Sequence, residues 1–172
     1  TWVQGQNNLA VRTNGALNRY AAVPHNASLD ITQEITVSAW IRPNTVGRRQ
    51  ILSKGGPDGF DLGIFESGKI EFRINRESNG TAYRLFSVAD YPSDGNTWMH
   101  VAVTFDGTAS RIYINGVPDN SITFAPATIK SNTTELQIGA RQGSNRWSGD
   151  IDDLRLYSRA LSASEVLNLT NA

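Results

Sequence analysis

Three aspartates, Asp150, Asp152 and Asp153, fall within four residues of one another. Carboxylates crowded in this way can supply hard oxygens to Ca²⁺, which takes roughly six to eight of them. The same side chains could equally be solvated strand-end residues or turn caps. Lysine is scarce, with three residues in the chain against thirteen arginines, so no ammonium is expected to neutralise the group. The surplus of arginine points to a second kind of chemistry. A guanidinium makes planar, bidentate contacts to carboxylate or sulfate that lysine cannot make. Sugars are held by aromatic faces together with fixed planar donors and acceptors. Arg73, Asn75, Arg84, Arg111 and Tyr113 are the candidates for such a surface, and an Arg-Tyr-Asn face suits an acidic glycan. The alternative is that these side chains merely cover a polar sheet face with their stems.

Catalysis finds little support. Hydrolysis of a glycosidic bond needs two carboxyl groups about 5–5.5 Å apart in retaining enzymes and about 6.5–9.5 Å apart in inverting ones. The glutamates are residues 34, 66, 71, 77, 135 and 165, and Glu66 and Glu71 lie across a turn, off a common face. The histidines are His25 and His100, and there is no cysteine. A thiol nucleophile, thiolate zinc sites and a disulfide framework are therefore excluded.

These residues must be positioned by strands. The dominant period is two, in short runs separated by turn residues every 8–12 residues or so, as in a sandwich or barrel. The expected strands are Leu9–Thr13, Arg19–Val23, Ile35–Arg42, Gln50–Lys54, Phe60–Phe65, Lys69–Asn75, Ala82–Val88, Trp98–Phe105, Arg111–Asn115, Glu135–Ala140 and Asp150–Tyr157. Glu66-Ser67-Gly68-Lys69 and Asn115-Gly116 read as hairpin turns, and Ser78-Asn79-Gly80 and Asp106-Gly107 as loops that tolerate positive φ. Alternation sends Val101, Val103, Phe105, Ile112 and Ile114 inward. It sends His100, Ala102, Thr104, Arg111 and Tyr113 outward, along with Lys69, Glu71, Arg73 and Asn75. On this reading Arg73, Arg111 and Tyr113 wall a shallow groove floored by Ala102 and Thr104. Ser162 and Glu165 form a capping box that predicts a short C-terminal helix.

At 172 residues and 18.8 kDa the chain is one domain, residues 1–172, with balanced charge: sixteen basic and sixteen acidic residues. A general electrostatic grip on nucleic acid or anionic membrane is not expected, and no apolar run is long enough to insert into a bilayer. The chain opens at Thr1 without a basic, apolar leader, which reads as a module, monomeric in itself, cut from a larger secreted or cell-surface protein. Sequons stand at Asn26, Asn79, Asn132 and Asn168.

Three segments, taken in order and spacing, resemble a known family. They are Tyr20-Ala21-Ala22-Val23-Pro24 with Ser28-Leu29-Asp30-Ile31 and Thr36-Val37-Ser38-Ala39-Trp40-Ile41; Trp98-Met99-His100-Val101-Ala102-Val103-Thr104-Phe105-Asp106-Gly107 with Tyr113-Ile114-Asn115-Gly116; and Trp147-Ser148-Gly149-Asp150-Ile151-Asp152-Asp153-Leu154-Arg155-Leu156-Tyr157 running on to Ser162. From about Leu9 to the C-terminus they resemble the laminin G-like, pentraxin-like branch of the concanavalin A-like lectin/glucanase superfamily. The resemblance implies an all-β, two-sheet antiparallel jelly-roll sandwich with the first and last strands side by side. It implies a structural calcium held by Asp153, with Asp152, Asp30 and Asn14 as further candidate ligands, Asn14-Gly15 standing where the family often has Asp-Gly. It also implies packing roles for Trp40, Trp98 and Trp147. The E-x-D-x-x-E strand of the superfamily's glucanases is absent. The expected function is a noncatalytic, lectin-like carbohydrate-binding module, with an acidic polysaccharide as the candidate ligand. An adhesion or protein-interaction module of laminin G type is the alternative, and a polysaccharide-active enzyme a more distant one.

Overall fold

The computed structural model describes residues 1–55, 58–79 and 83–171. Ala82, the expected start of one strand, and Gly80 of the Ser78-Asn79-Gly80 turn lie outside these residues. In chain order the strands are β1 (Trp2–Gln4), β2 (Leu9–Asn14), β3 (Ala21–Val23), β4 (Ile35–Pro43), β5 (Arg49–Lys54), β6 (Phe60–Ile64), β7 (Lys69–Ile74), β8 (Arg84–Asp90), β9 (Met99–Phe105), β10 (Ala109–Ile114), β11 (Val117–Thr123), β12 (Leu136–Ile138) and β13 (Ser148–Tyr157). Two short helices, α1 (Arg76–Asn79) and α2 (Ala163–Leu169), complete the fold with a 3-10 turn at Ala27–Leu29. β1, β11 and α1 were not among the expected elements.

The strands form two antiparallel sheets. The seven-stranded sheet runs β1-β2-β13-β4-β9-β10-β11 and the six-stranded sheet β3-β12-β5-β6-β7-β8. β2, the first of the expected strands, pairs with the last strand β13, as Ser148 opposite Asn14 and Ile151 opposite Val11. The core lies between the sheets. Ile35, Val37, Ala39, Ile41, Val101, Val103, Phe105 and Ile112 face it from one side, and Leu52, Leu62, Phe72 and Leu85 from the other. The second set is one register row, Leu52 opposite Leu62, Leu62 opposite Phe72, Phe72 opposite Leu85. Alternation then places their sequence neighbours on the outer face.

The outer face of the seven-stranded sheet is not a solvated surface. Ala102, Thr104 and His100 are all buried, as is Tyr113 at 3% exposure. The chain after β13 folds back over this face. Leu161, Val166 and Leu169 of the α2 segment pack on Ala102 and Tyr113, with Tyr157 at the border. Thr36 pins the return: its hydroxyl donates to the Arg159 carbonyl at 2.8 Å and accepts from the Leu161 amide at 2.9 Å. The capping box forms as its sequence indicates, Glu165 accepting from the Ser162 amide and Ser162 from the Glu165 amide. Gly116 allows the close approach. Its φ is 78°, and a Cβ there would stand 2.8 Å from Leu167 Cδ1.

Among the tryptophans only Trp147 is fully buried. Trp40 is half-buried on the outer side, edge-on to His100 at 5.4 Å, and Trp98 lies under the Arg42 guanidinium at 4.7 Å. Trp40 and Trp98 thus pack on the outer side of the sheet instead of in the core.

Burial lowers the His100 pKa to about 4, against a smaller upward pull from Asp153. The unfolded chain, with an ordinary histidine near 6.5, therefore takes up this proton first as pH falls. The stabilisation from keeping His100 neutral is complete above about pH 6.5 and is lost between there and pH 4, amounting to roughly 3 kcal/mol at most. The melting temperature of the wild type is expected to fall across that window. His100→Phe, which keeps a ring against Trp40, should flatten the curve there. An unchanged slope in the variant would refute this assignment.

Candidate ligand-binding face

The outer face of the six-stranded sheet carries a single register row of polar side chains, one on each of the five adjacent strands β12, β5, β6, β7 and β8. Gln137 on β12 stands opposite Ser53 on β5, Ser53 opposite Asp61 on β6, Asp61 opposite Arg73 on β7, and Arg73 opposite Arg84 on β8. Alternation against the core row Leu52, Leu62, Phe72 and Leu85 puts them there. Ser53, Arg73 and Gln137 are each less than 9% exposed.

The arginine side of this face is built on aromatic rings. Phe65 and Phe86 meet at 5.1 Å, the Arg84 guanidinium lies 4.5 Å from one ring and 4.4 Å from the other, and Arg48 lies 4.5 Å from Phe65. Glu71 orients both cations, accepting from Arg84 Nε at 2.6 Å and facing Arg48 Nη2 at 3.6 Å. Burial, with Arg76 as the next cause, lowers the Arg73 pKa. At the centre, Asp61 accepts from Ser53 Oγ at 2.5 Å and faces Arg141 Nε at 3.2 Å. Burial pushes its carboxyl pKa up against the pull of Arg141 and Ser53. On the far side a cavity of about 310 Å³ is lined by Ser53, Gly55, Thr134, Glu135, Gln137 and Gln142. Gln137 is fixed there by donating to Glu135 Oε1 at 2.6 Å and accepting from the Gly143 amide at 3.1 Å.

Of the sequence-derived ligand residues, Arg73 and Arg84 come together on this face. Asn75 does not join them. It is 2% exposed and laces a loop, donating to the Thr128 carbonyl at 2.7 Å and accepting from the Lys130 amide at 2.8 Å. Arg111 and Tyr113 are on β10, in the other sheet. Arg111 is paired with Asp106 at 2.6 Å, and Tyr113 is buried under α2. The expected groove of Arg73, Arg111 and Tyr113 over Ala102 and Thr104 does not form, because its walls belong to different sheets and its floor is covered. Asp61, Ser53, Gln137, Arg48 and Arg141 were absent from the candidates. The alternation Phe60-Asp61-Leu62-Gly63-Ile64, beside Glu71 and Arg73 on the next strand, is the sequence signal that places Asp61 with them.

The candidate calcium ligands are dispersed. Asp30 lies at the 3-10 turn, 4.0 Å from His25 Nε2. Asn14 pairs with Ser148, four residues and about 13 Å along the strand from Asp152, and its side chain accepts from the Ala16 amide at 3.2 Å. The Asp152 carboxylate accepts from the Asn7 amide at 2.7 Å and the Asp153 amide at 2.8 Å, and Asp153 accepts from Arg155 Nε at 2.8 Å. Asp150 takes two bonds from Arg12 and two from Arg42, all between 2.6 and 3.0 Å. Burial alone would raise its pKa, and the hydrogen bonds from both arginines outweigh burial and hold it below the ordinary carboxylate value. Oxygens already aimed at N–H donors do not fit a calcium ligand set, and guanidiniums supply the countercharge here. Asp150→Asn is expected to lower stability by about 2–4 kcal/mol, since it leaves two guanidiniums short of their partner. The wild-type melting temperature should be indifferent to EDTA and to added calcium. A drop with EDTA that calcium reverses, with calcium found in the purified protein, would show that the aspartates rearrange around an ion.

A family model described as the Concanavalin A-like lectin/glucanases superfamily, of laminin G type, matches residues 14–167. Mouse usherin is 23% identical over 145 residues, covering 81% of this chain and 3% of that protein. Zebrafish adhesion G-protein coupled receptor V1 is 22% identical, covering 91% of this chain and again 3% of the relative. The chain thus spans a few hundredths of the length of these two proteins. Among solved structures, domain 4 of an extracellular arabinanase from Geobacillus stearothermophilus, in complex with arabinotriose, superposes with a TM-score of 0.75 at 21% identity, covering 99% of this chain and 80% of that one. The Ruminococcus gnavus IT-sialidase CBM40 bound to α2,3-sialyllactose gives 0.71 at 17%, covering 92% and 97%. The binding domain of Paraclostridial Mosquitocidal Protein 1 gives 0.76 at 21%, covering 99% and 45%. At these identities the structures share the two-sheet sandwich, while the family match covers nearly the whole sequence: the chain belongs to the concanavalin A-like lectin/glucanase superfamily, as a domain of laminin G type.

Proposed function

We propose that this domain is a noncatalytic carbohydrate-binding module that takes an acidic glycan on the outer face of its six-stranded sheet, within a larger secreted or cell-surface protein. The observation that carries the proposal is the row Gln137, Ser53, Asp61, Arg73 and Arg84, with guanidiniums held on Phe65 and Phe86. Amides, hydroxyls and guanidiniums fixed in advance lose little freedom on meeting sugar hydroxyls and carboxylates. Arabinotriose and α2,3-sialyllactose in two structures of the same fold agree with a glycan ligand, and the first of these domains comes from an extracellular enzyme. Of the two carboxylates nearest the centre of the face, Glu71 is engaged by Arg84 and Arg48. Incubation with a bound polysaccharide should release no reducing ends.

An adhesion or protein-interaction role rests on a different surface. Trp2 and Leu9 share one face of the β1–β2 hairpin and are 69% and 57% exposed. Binding of a protein ligand lost in Trp2→Ser but kept in Arg84→Gln would favour that role over glycan recognition.

The glycan reading is tested by calorimetric titration with acidic and neutral oligosaccharides. A hydrogen bond to a charged group contributes roughly 1.5–3 kcal/mol, so Arg84→Gln should weaken binding of an acidic glycan about 10- to 100-fold. Binding should also weaken with added salt, because the charges are partly exposed. Arg111→Gln, on the opposite sheet, should leave affinity unchanged. Equal losses in both variants, or a preference for neutral glucans, would overturn the proposal.

A further inference from the structure

We infer that the glycan recognised on this face carries its acidic group at one end only, lies across the strands, and places an uncharged sugar over β12 and β5. The inference rests on the glycan-binding reading and narrows its ligand class. Over β7 and β8 the guanidiniums of Arg48, Arg73, Arg76 and Arg84 outnumber, among the described residues, the carboxylates that act on them, Glu71 and, on Arg73 and Arg76 from the next strand, Asp61. Over β12 and β5 the balance is reversed. Arg141 is taken up by Asp61, and the cavity there is lined by hydroxyls, amides and the exposed carboxylate of Glu135. Glu135 carries a hydrogen bond from Gln137, which holds the carboxylate on the cavity wall.

Distance keeps the two ends independent. Gln137 and Arg84 are separated by four interstrand gaps, about 19 Å at the usual spacing. The screening length at physiological ionic strength is about 8 Å. The arginines therefore do not offset Glu135 for a second acidic group placed over β12. A uniformly acidic chain gains at one end and is repelled at the other, whereas a neutral sugar in the cavity can share hydroxyl hydrogen bonds with Ser53, Thr134, Gln137 and Glu135. A carboxylate serves a neutral sugar well, since it accepts from two hydroxyls at once.

The test is an array of neutral oligosaccharides, oligosaccharides carrying one uronate or sialate, and uniformly acidic chains such as polygalacturonate and heparin, followed by titration of the best binders in each class. Singly acidic glycans should bind at least tenfold more tightly than either other class at physiological salt. Glu135→Gln should raise affinity for the uniformly acidic class several-fold and weaken the singly acidic class, whose neutral sugar loses an ionised acceptor, so that the preference between the two classes narrows. Arg84→Gln should erase the preference for acid altogether. Uniformly acidic chains binding as well as singly acidic ones, or no narrowing of the preference in Glu135→Gln, would overturn this inference while leaving glycan binding in place. No binding anywhere on the array would overturn the glycan reading itself.

Discussion

The packing of the C-terminal segment on the seven-stranded sheet decides what the rest of the molecule can do. Leu161, Val166 and Leu169 bury themselves against Ala102 and Tyr113. Each large apolar side chain so covered contributes roughly 1.5–3 kcal/mol. The middle strands β4 and β9 are consequently buried on both faces over most of their length. A sheet in that position is a central layer, and much of its outer surface is closed to a ligand. The six-stranded sheet gathers polar side chains in register on its outer face.

Keeping that face polar, yet more than nine-tenths buried at Ser53, Arg73 and Gln137, requires each group to be held by another. Guanidiniums suit the task because their flat faces stack on rings while their edges remain donors. Lysine appears where a point charge is needed instead. Lys54 lies on the inner-face row with Phe60 and Ile74, and its ammonium leaves the core to donate to the carbonyls of Asn132 and Thr134 at 2.7 and 2.8 Å and to Asn132 Oδ1 at 3.2 Å. Three donors meet three oxygens, which fixes the loop carrying Asn132. Burial still lowers the Lys54 pKa, with Asp30 pulling it up. The Asn132 side chain is occupied in turn, accepting from Thr134 and donating to the Asp58 carbonyl, so this sequon is part of the scaffold.

What the sequence disclosed follows from range. Alternation is a local property, and it placed Val101, Val103, Phe105 and Ile112 in the core; the Ser162-Glu165 capping box, equally local, marked α2. Alternation could not say whether an outward residue meets water, because the cover on Ala102 and Tyr113 arrives from residues some fifty positions later in the chain. β11 escaped notice because Val117-Pro118-Asp119-Asn120 has poor strand composition. Its place at the sheet edge, beside a bulge at Ile112 and Tyr113, is where proline is tolerated. Arg73 was legible as an outward residue, and Arg84 as a candidate ligand residue with no face assigned. That Arg111 belongs to the opposite sheet is a matter of strand order, which no single segment encodes.

The two arginine clusters show why the residue type alone does not mark a site. On the seven-stranded sheet, Arg12 and Arg42 turn their donor edges onto both oxygens of Asp150, itself 2% exposed, and Arg42 rests on Trp98. Scarce lysine suggested an uncompensated aspartate cluster, but arginines distant in sequence supply the charge, from positions 138 and 108 residues away. Those donor edges are engaged, and the cluster joins β2, β13 and β4 across the sheet. On the six-stranded sheet, one Glu71 carboxylate orients Arg84 and Arg48 while Arg73 and Arg76 add charge beside it. Among the described residues cation outnumbers anion there, and the rings of Phe65 and Phe86 hold the guanidiniums of Arg48 and Arg84 in place. The difference between a structural clamp and a recognition surface is thus the ratio of donors to acceptors, set by which strands the topology brings side by side.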